Sequence, residues 1–155
     1  MKHAIFIDTP LGKIGIAERE QAITNVFFGG TVQPEGYIER ETPVLLEAAE
    51  QLNAYFAGTL RTFTVPVLLE GTAFQKQVWR ALTEIPYGQI RSYGELAKGI
   101  FGRSNGARAV GHANARNPIS IIVPCHRVIG ASGVLTGYAG GLAAKELLLK
   151  LEGVL

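Results

Sequence analysis

Cysteine is nearly absent from this 155-residue chain, in which only Cys125 occurs. One cysteine cannot form an internal disulfide, and it is too few for a cysteine-based zinc site. Apolar runs are also short: none approaches the roughly 18 residues of a membrane-spanning helix, and the amino terminus lacks the apolar segment of a secretory signal. We therefore expect no metal centre, no membrane association and a cytoplasmic protein in a reducing compartment.

Charge is modest in amount but uneven in distribution. Residues 1–70 carry five basic and nine acidic side chains, whereas residues 71–155 carry ten and four. Six basic side chains fall between residues 91 and 127, against the single acid Glu95: Arg91, Lys98, Arg103, Arg108, Arg116 and Arg127. This asymmetry indicates either a polyanionic partner for the second half or a basic face that is merely solvated.

The first half is predicted to form a small antiparallel sheet and one helix. The predicted strands are residues 3–8, 13–18 and 22–28, the last closed by Gly29-Gly30. Residues 31–42 are polar and are predicted as a loop. A helix capped by Thr42 should follow, with this apolar stripe: Leu45, Leu46, Ala49, Leu52, Ala54 and Phe56.

A domain boundary is predicted near Glu70-Gly71, where the charge balance changes sign. Just before it, residues 63–69 resemble a strand, but Pro66 limits them to an edge or irregular strand. Residues 1–70 are therefore expected to form a supporting domain, and residues 71–155 a second domain.

The second half is rich in helix signals. Thr72 with Gln75 and Ser92 with Glu95 have the spacing of capping boxes. The first of these helices has an apolar face with Trp79 beside it: Phe74, Val78, Ala81, Leu82 and Ile85. The second helix stops at Gly102, and a third, capped by Ser104, should run from about 105 to 115. Two short helices joined by a tight glycine-containing turn are typical of a helix-turn-helix.

The third helix is unusual because small residues surround Arg108. The small residues are Gly106, Ala107, Ala109, Gly111, Ala113 and Ala115. Such a helix can approach another backbone closely, and nucleic acid is one candidate for that backbone. A tightly packed core helix with an incidental arginine is the other interpretation.

Cys125 follows the apolar run 119–123, which is predicted to be a buried strand. A thiolate is a strong nucleophile, and His126 could serve as the base that generates it. Neighbouring side chains in a strand point to opposite faces, so contact with His126 needs a turn or a bridging water. Taken locally, a small buried core cysteine is the competing interpretation.

The carboxyl-terminal part supplies two more features. Residues 130–141 form a glycine-rich loop that could shape itself around a ligand. A last helix, from about Leu142 to Glu152, is expected to bury Leu147, Leu148 and Leu151. Glu152 opposes the helix dipole there, so it is either exposed or held by a partner such as a histidine.

With these features the sequence resembles the O6-alkylguanine-DNA alkyltransferases, also called methylated-DNA–protein-cysteine methyltransferases. Their signature is matched by Pro124-Cys125-His126-Arg127-Val128-Ile129. Further matches follow in the family's order: Gly71-Thr72-Ala73-Phe74-Gln75, Val78-Trp79, Ile85-Pro86-Tyr87-Gly88, Ser92-Tyr93, Ala107-Arg108-Ala109-Val110-Gly111, Asn117-Pro118, Gly137-Tyr138-Ala139-Gly140-Gly141-Leu142, Lys145 and Leu151-Glu152-Gly153. The resemblance covers nearly all of residues 71–155 and is looser over residues 1–70.

The resemblance implies direct repair of double-stranded DNA. The Cys125 thiolate would take the alkyl group of O6-alkylguanine, and of O4-alkylthymine, from a base flipped out of the duplex. His126 would remove the thiol proton through a water, Glu152 would hold His126, and Asn117 would brace the site. The thioether product is stable, so each molecule would act once and need no cofactor.

The resemblance also implies which residues contact DNA. The helix over 105–115 would lie in the minor groove, where Ala107 and Gly111 permit close approach. Arg108 would fill the gap left by the flipped base, and Tyr93 would help to turn the phosphate and contact the base.

The implied base pocket comes from two further places. The Val128 backbone would contact the base, and Tyr138 and Ala139 would form the pocket wall. Some relatives have serine at the position of Ala139, so a backbone contact would survive here but a hydroxyl contact would not.

The implied fold is α+β: a small antiparallel sheet with a helix, ribonuclease H-like, then a winged-helix-like helix-turn-helix domain that carries the reactive cysteine. A monomer is expected. Two other functions remain as alternatives. One is non-enzymatic damage binding, as in the alkyltransferase-like proteins, which usually have tryptophan in place of the cysteine. The other is a winged-helix regulator in which the thiol is incidental.

Overall fold

The computed structural model describes residues 1–29, 33–130, 133 and 135–155. The chain divides into two compact units, Met1–Glu70 and Gly71–Leu155. Gly30 and residues 31–32 of the predicted loop lie outside the described residues, as do residues 131, 132 and 134 of the glycine-rich loop. Within the described part, no helix is both long and apolar enough to cross a membrane.

The first unit is built on a four-stranded mixed sheet in the order β3-β2-β1-β4. The strands are β1 (Lys2–Thr9), β2 (Gly12–Arg19), β3 (Ala22–Phe28) and β4 (Tyr37–Glu39). The first three pair antiparallel, as predicted, whereas β4 pairs with β1 in parallel. The loop prediction is therefore wrong at 37–39, because three residues are too few to show a strand's alternating pattern.

Helix α1 (Pro43–Phe56) packs against β1, β2 and β3. Thr42 occupies the capping position, but its hydroxyl makes no capping bond. The buried face consists of Val44, Leu45, Ala48, Leu52 and Tyr55. The predicted stripe is partly wrong, since Leu46 is 48% exposed. Several apolar residues stand side by side in this helix, so more than one stripe fits the sequence.

Residues 63–69 pair with the sheet at one point only. Val67 forms a single parallel bridge with Ile23. The Ile23 N–H donates to the Pro66 carbonyl and the Leu68 N–H donates to the Ile23 carbonyl, both at 2.8 Å. Pro66 itself has no N–H to extend the ladder, which agrees with the irregular edge segment that was predicted.

The second unit is mainly helical. Its helices are α2 (Ala73–Leu82), α3 (Tyr93–Phe101), α4 (Ala107–Ala115) and α5 (Leu142–Leu151), with a 3₁₀ turn at Cys125–Arg127. Two short strands, β5 (Arg91–Ser92) and β6 (Val128–Ile129), pair in parallel. Since β5 leads into α3 and β6 follows the 3₁₀ turn, this pairing ties the start of α3 to the residues after the cysteine.

Both predicted capping boxes are confirmed. The Thr72 and Ser92 hydroxyls accept from the backbone N–H of Gln75 and Glu95, whose side chains bond back to the cap residues. Helix α3 ends at Gly102 with φ +77°, a left-handed conformation that glycine adopts without strain. Helices α3 and α4 then pack together as the predicted helix-turn-helix.

Helix α4 begins two residues later than predicted. Gly106 is its N-cap, and the predicted cap from Ser104 is wrong. The Ser104 carbonyl instead accepts from the Ala107 N–H at 3.3 Å, in a turn that precedes the helix. Near the other end, Nε1 of Trp79 donates to the Ala113 carbonyl at 2.8 Å, which fixes α4 against α2.

Two apolar side chains are exposed: Phe74, which was predicted on an apolar helical face, and Leu147, which was predicted as buried. Phe74 stacks on Phe101 at the surface, with ring centroids 5.6 Å apart. Leu147 of α5 is 37% exposed, and the buried face of that helix is Ala144, Lys145, Leu148 and Leu149. Lys145 therefore lies on the buried face of α5, for which the prediction named only leucines.

Residues 119–123 are buried except for the half-buried Ile122, and they do not form the predicted strand. The Ile122 N–H donates to the Ser120 carbonyl at 2.8 Å and the Val123 N–H donates to the Ile119 carbonyl at 3.0 Å, so the chain turns here. Ile121 has φ +73°, which is uncommon for a β-branched residue. Apolar character alone cannot distinguish a buried strand from a buried turn.

Candidate functional site

Cys125 lies in the 3₁₀ turn and is 5% exposed. Its carbonyl accepts from Nδ2 of Asn114 at 3.4 Å. Burial raises the pKa of the thiol, because a thiolate loses its hydration in a dry site, while a hydrogen bond from Asn117 and the charge of Lys145 act in the opposite direction. The thiol is therefore protonated at neutral pH, and a nucleophile has to be generated by a base.

His126 follows in the same turn and is completely buried. Its Nε2 lies 2.7 Å from Oε2 of Glu152, the C-cap residue directly after α5. Burial lowers the pKa of His126, although the Glu152 carboxylate opposes this shift. A neutral ring then donates Nε2–H to the carboxylate and leaves Nδ1 as an acceptor. Nδ1 is buried and has no hydrogen-bond partner among the described residues.

Arg127 completes the charged cluster, and sequence reasoning misassigned it. Its Nε donates to Oε1 of Glu152 at 2.8 Å, and a terminal nitrogen donates to Oε2 at 3.1 Å. The other terminal nitrogen donates to the Ile85 carbonyl at 2.7 Å. Arg127 is 6% exposed, so its predicted place on a basic face toward a polyanion is wrong. It neutralises Glu152, which in turn also accepts from the Gly88 N–H.

Asn117 shapes the segment that leads to the cysteine. Its Nδ2 donates to the Val123 carbonyl at 2.8 Å and its Oδ1 accepts from the Ile119 N–H at 3.0 Å. One buried side chain thus spans the turn on both sides of Ile121. Asn117 also opposes the rise in the pKa of the Cys125 thiol, so it acts on both the backbone of this turn and the cysteine.

A shallow cavity of about 350 Å³ brings together most of the residues that the resemblance assigns to the substrate. Its lining includes Tyr93, Arg108, Gly111, Tyr138 and Ala139. Gly111 faces the ring of Tyr93, and a Cβ built on it would lie 3.7 Å from that ring, in ordinary van der Waals contact. The cavity lies where α3, α4 and the segment after residue 135 meet.

Two predicted substrate residues lie outside that cavity lining. Ala107 is at the first position of α4 and is half-buried. Val128 is fully buried, and its carbonyl accepts from Nζ of Lys145 at 2.6 Å. Sequence reasoning gave Lys145 no role, although a lysine on the same helical face as Leu148 and Leu149 is a local signal of a special environment.

The outer side of α4 is exposed and basic. Arg108, His112 and Arg116 line a second cavity of about 600 Å³, which extends to the start of α2. Lys98 and Arg103 are exposed as well, so four of the six basic residues between 91 and 127 remain available on the surface. This face, rather than the buried cluster, carries the positive charge that a polyanion could meet.

Comparison with known families identifies this arrangement. Residues 73–154 match the DNA-binding domain of 6-O-methylguanine DNA methyltransferase, and residues 2–69 match the ribonuclease-like domain of the same enzyme. The chain belongs to this family. The predicted resemblance to the O6-alkylguanine-DNA alkyltransferases is thereby confirmed.

Individual relatives are similar along almost their whole length. The methylated-DNA–protein-cysteine methyltransferase of Methanosarcina acetivorans is 55% identical over 157 residues, which cover 99% of each chain. The crystal structure of Mycobacterium tuberculosis OGT in complex with DNA is 50% identical with a TM-score of 0.90, covering 97% of this chain and 92% of that one. The same organism's O6-methylguanine methyltransferase superposes with a TM-score of 0.88 over 98% and 93% of the two chains.

Proposed function

We propose that this protein repairs DNA as a methylated-DNA–protein-cysteine methyltransferase that accepts the alkyl group of O6-alkylguanine on Sγ of Cys125. The observation that carries the proposal is the buried arrangement in which the only thiol adjoins His126, a histidine whose Nε2 is held by Glu152. Family membership and the DNA complex of the mycobacterial relative support the same conclusion.

The buried charges fit one nucleophilic substitution. Nδ1 of His126 accepts the thiol proton through a water, while Glu152 stabilises the imidazolium that results. The Sγ–carbon bond forms as the carbon–O6 bond breaks, and the electron pair of that bond stays on O6. The guanine anion takes back one proton and leaves as guanine. The reaction balances without a cofactor. Because the thioether is stable, Cys125 cannot act as a nucleophile again after one transfer.

The burial of Cys125 determines how the alkylated DNA base has to reach the thiol. Cys125 is 5% exposed, so its sulfur cannot reach the alkyl carbon on O6 of a base inside a stacked duplex, and the damaged nucleotide has to be flipped out. The exposed side of α4 suits the minor groove, since Ala107 and Gly111 are small and Arg108 is exposed. Tyr93, Tyr138 and Ala139 then face the flipped nucleotide from the cavity that they share with Arg108.

The two alternative functions fit the site less well. A damage-binding protein or a winged-helix regulator needs the basic helix but no nucleophile. Neither function explains why Asn117, His126 and Glu152 are buried together around the cysteine. O4-alkylthymine is included in the proposal as a second substrate, and we expect the protein to act as a monomer in the cytoplasm.

Mass spectrometry tests the proposal directly. Incubation with duplex DNA that contains O6-methylguanine should add one methyl group to the peptide bearing Cys125, and no more than one even with excess DNA. The matched duplex without the lesion should add none. The variant Cys125→Ser should bind the damaged duplex but leave its methyl group in place.

Two results would contradict the proposal. One is a wild-type protein that binds the lesion without gaining mass, which would favour the damage-binding alternative. The other is demethylation by Cys125→Ser, which would move the acceptor to another residue.

A further inference from the structure

Asn114 is a buried polar side chain that the mechanism above does not use. It lies on the inner side of α4 and is 4% exposed. Its Nδ2 donates to the Cys125 carbonyl at 3.4 Å, which places the amide against the turn that carries the nucleophile. Its Oδ1 is buried as well, and it has no hydrogen-bond partner among the residues that the structure describes.

The same turn holds a second buried acceptor. Nδ1 of His126 is buried, and nothing in the described part of the chain hydrogen-bonds to it. Because Nε2 of this ring lies 2.7 Å from the Glu152 carboxylate, the proton of the neutral ring is on Nε2 and Nδ1 is an acceptor. Oδ1 of Asn114 is also an acceptor, so the two atoms cannot satisfy each other and need a donor between them.

Both acceptors lie close to one carbonyl group, that of Cys125. The oxygen and nitrogen of a side-chain amide are about 2.3 Å apart, so Oδ1 of Asn114 lies within about 6 Å of the Cys125 carbonyl oxygen. His126 is the next residue, so its Nδ1 lies within about 7 Å of that oxygen in any rotamer. One water in this small region, about 2.8 Å from each acceptor, can join the two side chains.

We propose that Asn114 positions the water through which His126 removes the proton of Cys125. The inference rests on the proposed function and adds a residue to it. The water donates one hydrogen to Nδ1 of His126 and the other to Oδ1 of Asn114, and it accepts from the thiol. These are about as many contacts as a buried water normally makes.

The proton transfer balances through this water. As the S–H bond of Cys125 breaks, the water takes that proton and passes its own to Nδ1 of His126, so it remains a water. The electron pair of the S–H bond stays on sulfur and attacks the alkyl carbon. Asn114 contacts neither the alkyl group nor the base, so it is a positioning residue.

The charged groups around His126 are engaged elsewhere. Glu152 faces Nε2 from the end of α5, and Arg127 neutralises that carboxylate. Lys145, on the inner face of α5, donates to two backbone carbonyls. An uncharged amide suits the remaining place, because it orients the water without opposing the negative charge that forms on sulfur.

A double-mutant cycle tests the role of Asn114 in the reaction with free O6-benzylguanine, which needs no DNA. Asn114→Leu has a similar volume and removes both amide groups. It should slow the reaction about tenfold at neutral pH when His126 is present. The loss should be less than about twofold when His126→Gln has already removed the base. Asn53→Leu, the same substitution at an exposed position of α1, is the matched control and should leave the rate unchanged.

The pH profile separates a positioned water from a structural brace. As the pH rises toward the pKa of the thiol, hydroxide ionises Cys125 without His126, so the rates of Asn114→Leu and of the wild type should converge. An amide that only braces the backbone would slow the reaction by the same factor at every pH and in both histidine backgrounds. Either of those results would overturn the proposal.

The water can also be observed in the wild type, which makes this test independent of how the variants fold. A high-resolution crystal structure should show a water within about 3.2 Å of both Oδ1 of Asn114 and Nδ1 of His126. The proposal is overturned if no water lies there, or if the water contacts only one of the two atoms. A wild-type protein that holds this water but accepts no alkyl group would instead refute the proposed function.

Discussion

The second unit holds charged side chains in two contrasting settings. Around Cys125, the side chains of His126, Arg127 and Glu152 are buried, and each has a fixed partner. On the outer side of α4, Arg108 and Arg116 are exposed and have no hydrogen-bond or ion-pair partner among the described residues. The buried set is organised for chemistry within the protein, and the exposed set is left available for another molecule.

The two settings should respond to mutation in opposite ways. Removing one member of a buried ion pair leaves its partner desolvated and unpaired, which destabilises the fold as well as the reaction. Removing an exposed arginine leaves nothing in the protein without a partner, so only the interaction with DNA should suffer. Stability and DNA binding are therefore the two measurements that separate the settings.

Glu152→Gln should have the largest effect. Arg127 and His126 would both lose their anionic partner, and we expect a loss of about 3–5 kcal/mol in the free energy of unfolding together with loss of alkyl transfer. Denaturant titration followed by the fluorescence of Trp79 measures this loss, because the only tryptophan is 2% exposed and lies in the same unit.

The matched control for this substitution is Glu146→Gln. Glu146 lies on the same helix and pairs with Lys150 four residues later, at 3.3 Å and in solvent. Such exposed pairs contribute about 0.3–0.5 kcal/mol, so this variant should stay close to the wild type. Similar losses in the two variants would show that the buried cluster does not hold the unit together.

Arg108→Ala should reduce function without reducing stability. Because Arg108 is exposed, its loss should change the free energy of unfolding by less than about 0.5 kcal/mol. Transfer from duplex DNA should become about 10- to 100-fold slower, which corresponds to about 1.4–2.7 kcal/mol. Reaction with free O6-benzylguanine, which needs no base flipping, should be nearly unchanged. If the rates with duplex DNA and with free O6-benzylguanine fall by the same factor, Arg108 has no role in base flipping.

More of the exposed basic side of α4 than of the buried cluster around Cys125 could be predicted from the sequence. The features of α4, its small residues and Arg108, are local and could be recognised within one helix. The buried contacts join distant positions: Arg127 reaches Glu152 across 25 residues and Ile85 across 42. In a stretch rich in basic residues, nothing local distinguishes an arginine that is buried and paired from one that is solvated.

Where the backbone differs from the prediction, the cause is again a contact between residues that are not local in the sequence. The turn over 119–123 was predicted as a strand because the residues are apolar, but the hydrogen bonds of Asn117 determine its conformation. Glu152 was recognised as unusual for its position, and only the fold shows what holds it. The burial of Lys145 could have been predicted, since its place among leucines on one helical face is visible in the sequence.

Lowering the pH should destabilise the protein through the buried setting and not through the exposed one, with a smaller effect than the substitutions above. Burial lowers the pKa of His126 in the folded protein relative to about 6.5 in the unfolded chain, so folding favours the neutral ring. This contribution to stability is present above about pH 6.5 and is lost as the pH falls toward the lowered value, by at most about 1.4 kcal/mol per pH unit. Glu95, whose pKa is lowered by its capping bonds to Ser92, responds only below 4.5. Denaturant unfolding, followed by the fluorescence of Trp79 at pH 7.5 and at lower pH, measures how the free energy of unfolding changes with pH.

Substitution of His126, with His112 in the same unit as the control, tests which group is responsible. His126→Gln should flatten the slope just below pH 6.5, whereas His112→Gln, on the exposed side of α4, should leave it unchanged. A slope that survives in His126→Gln would assign the pH dependence to another group and would remove the evidence for a neutral buried base.

Arg116→Ala should have the smallest effect. Arg116 is exposed at the end of α4 and lines the same cavity as Arg108, so it is placed to meet a phosphate rather than a base. Its removal should weaken binding to damaged and undamaged duplexes by the same factor and reduce the slope of affinity against salt by about one. The free energy of unfolding and the reaction with O6-benzylguanine should not change. Lys150→Ala, which removes an exposed charge from α5, is the control, and an equal change of slope in both variants would mean that the basic side of α4 is only a solvated surface.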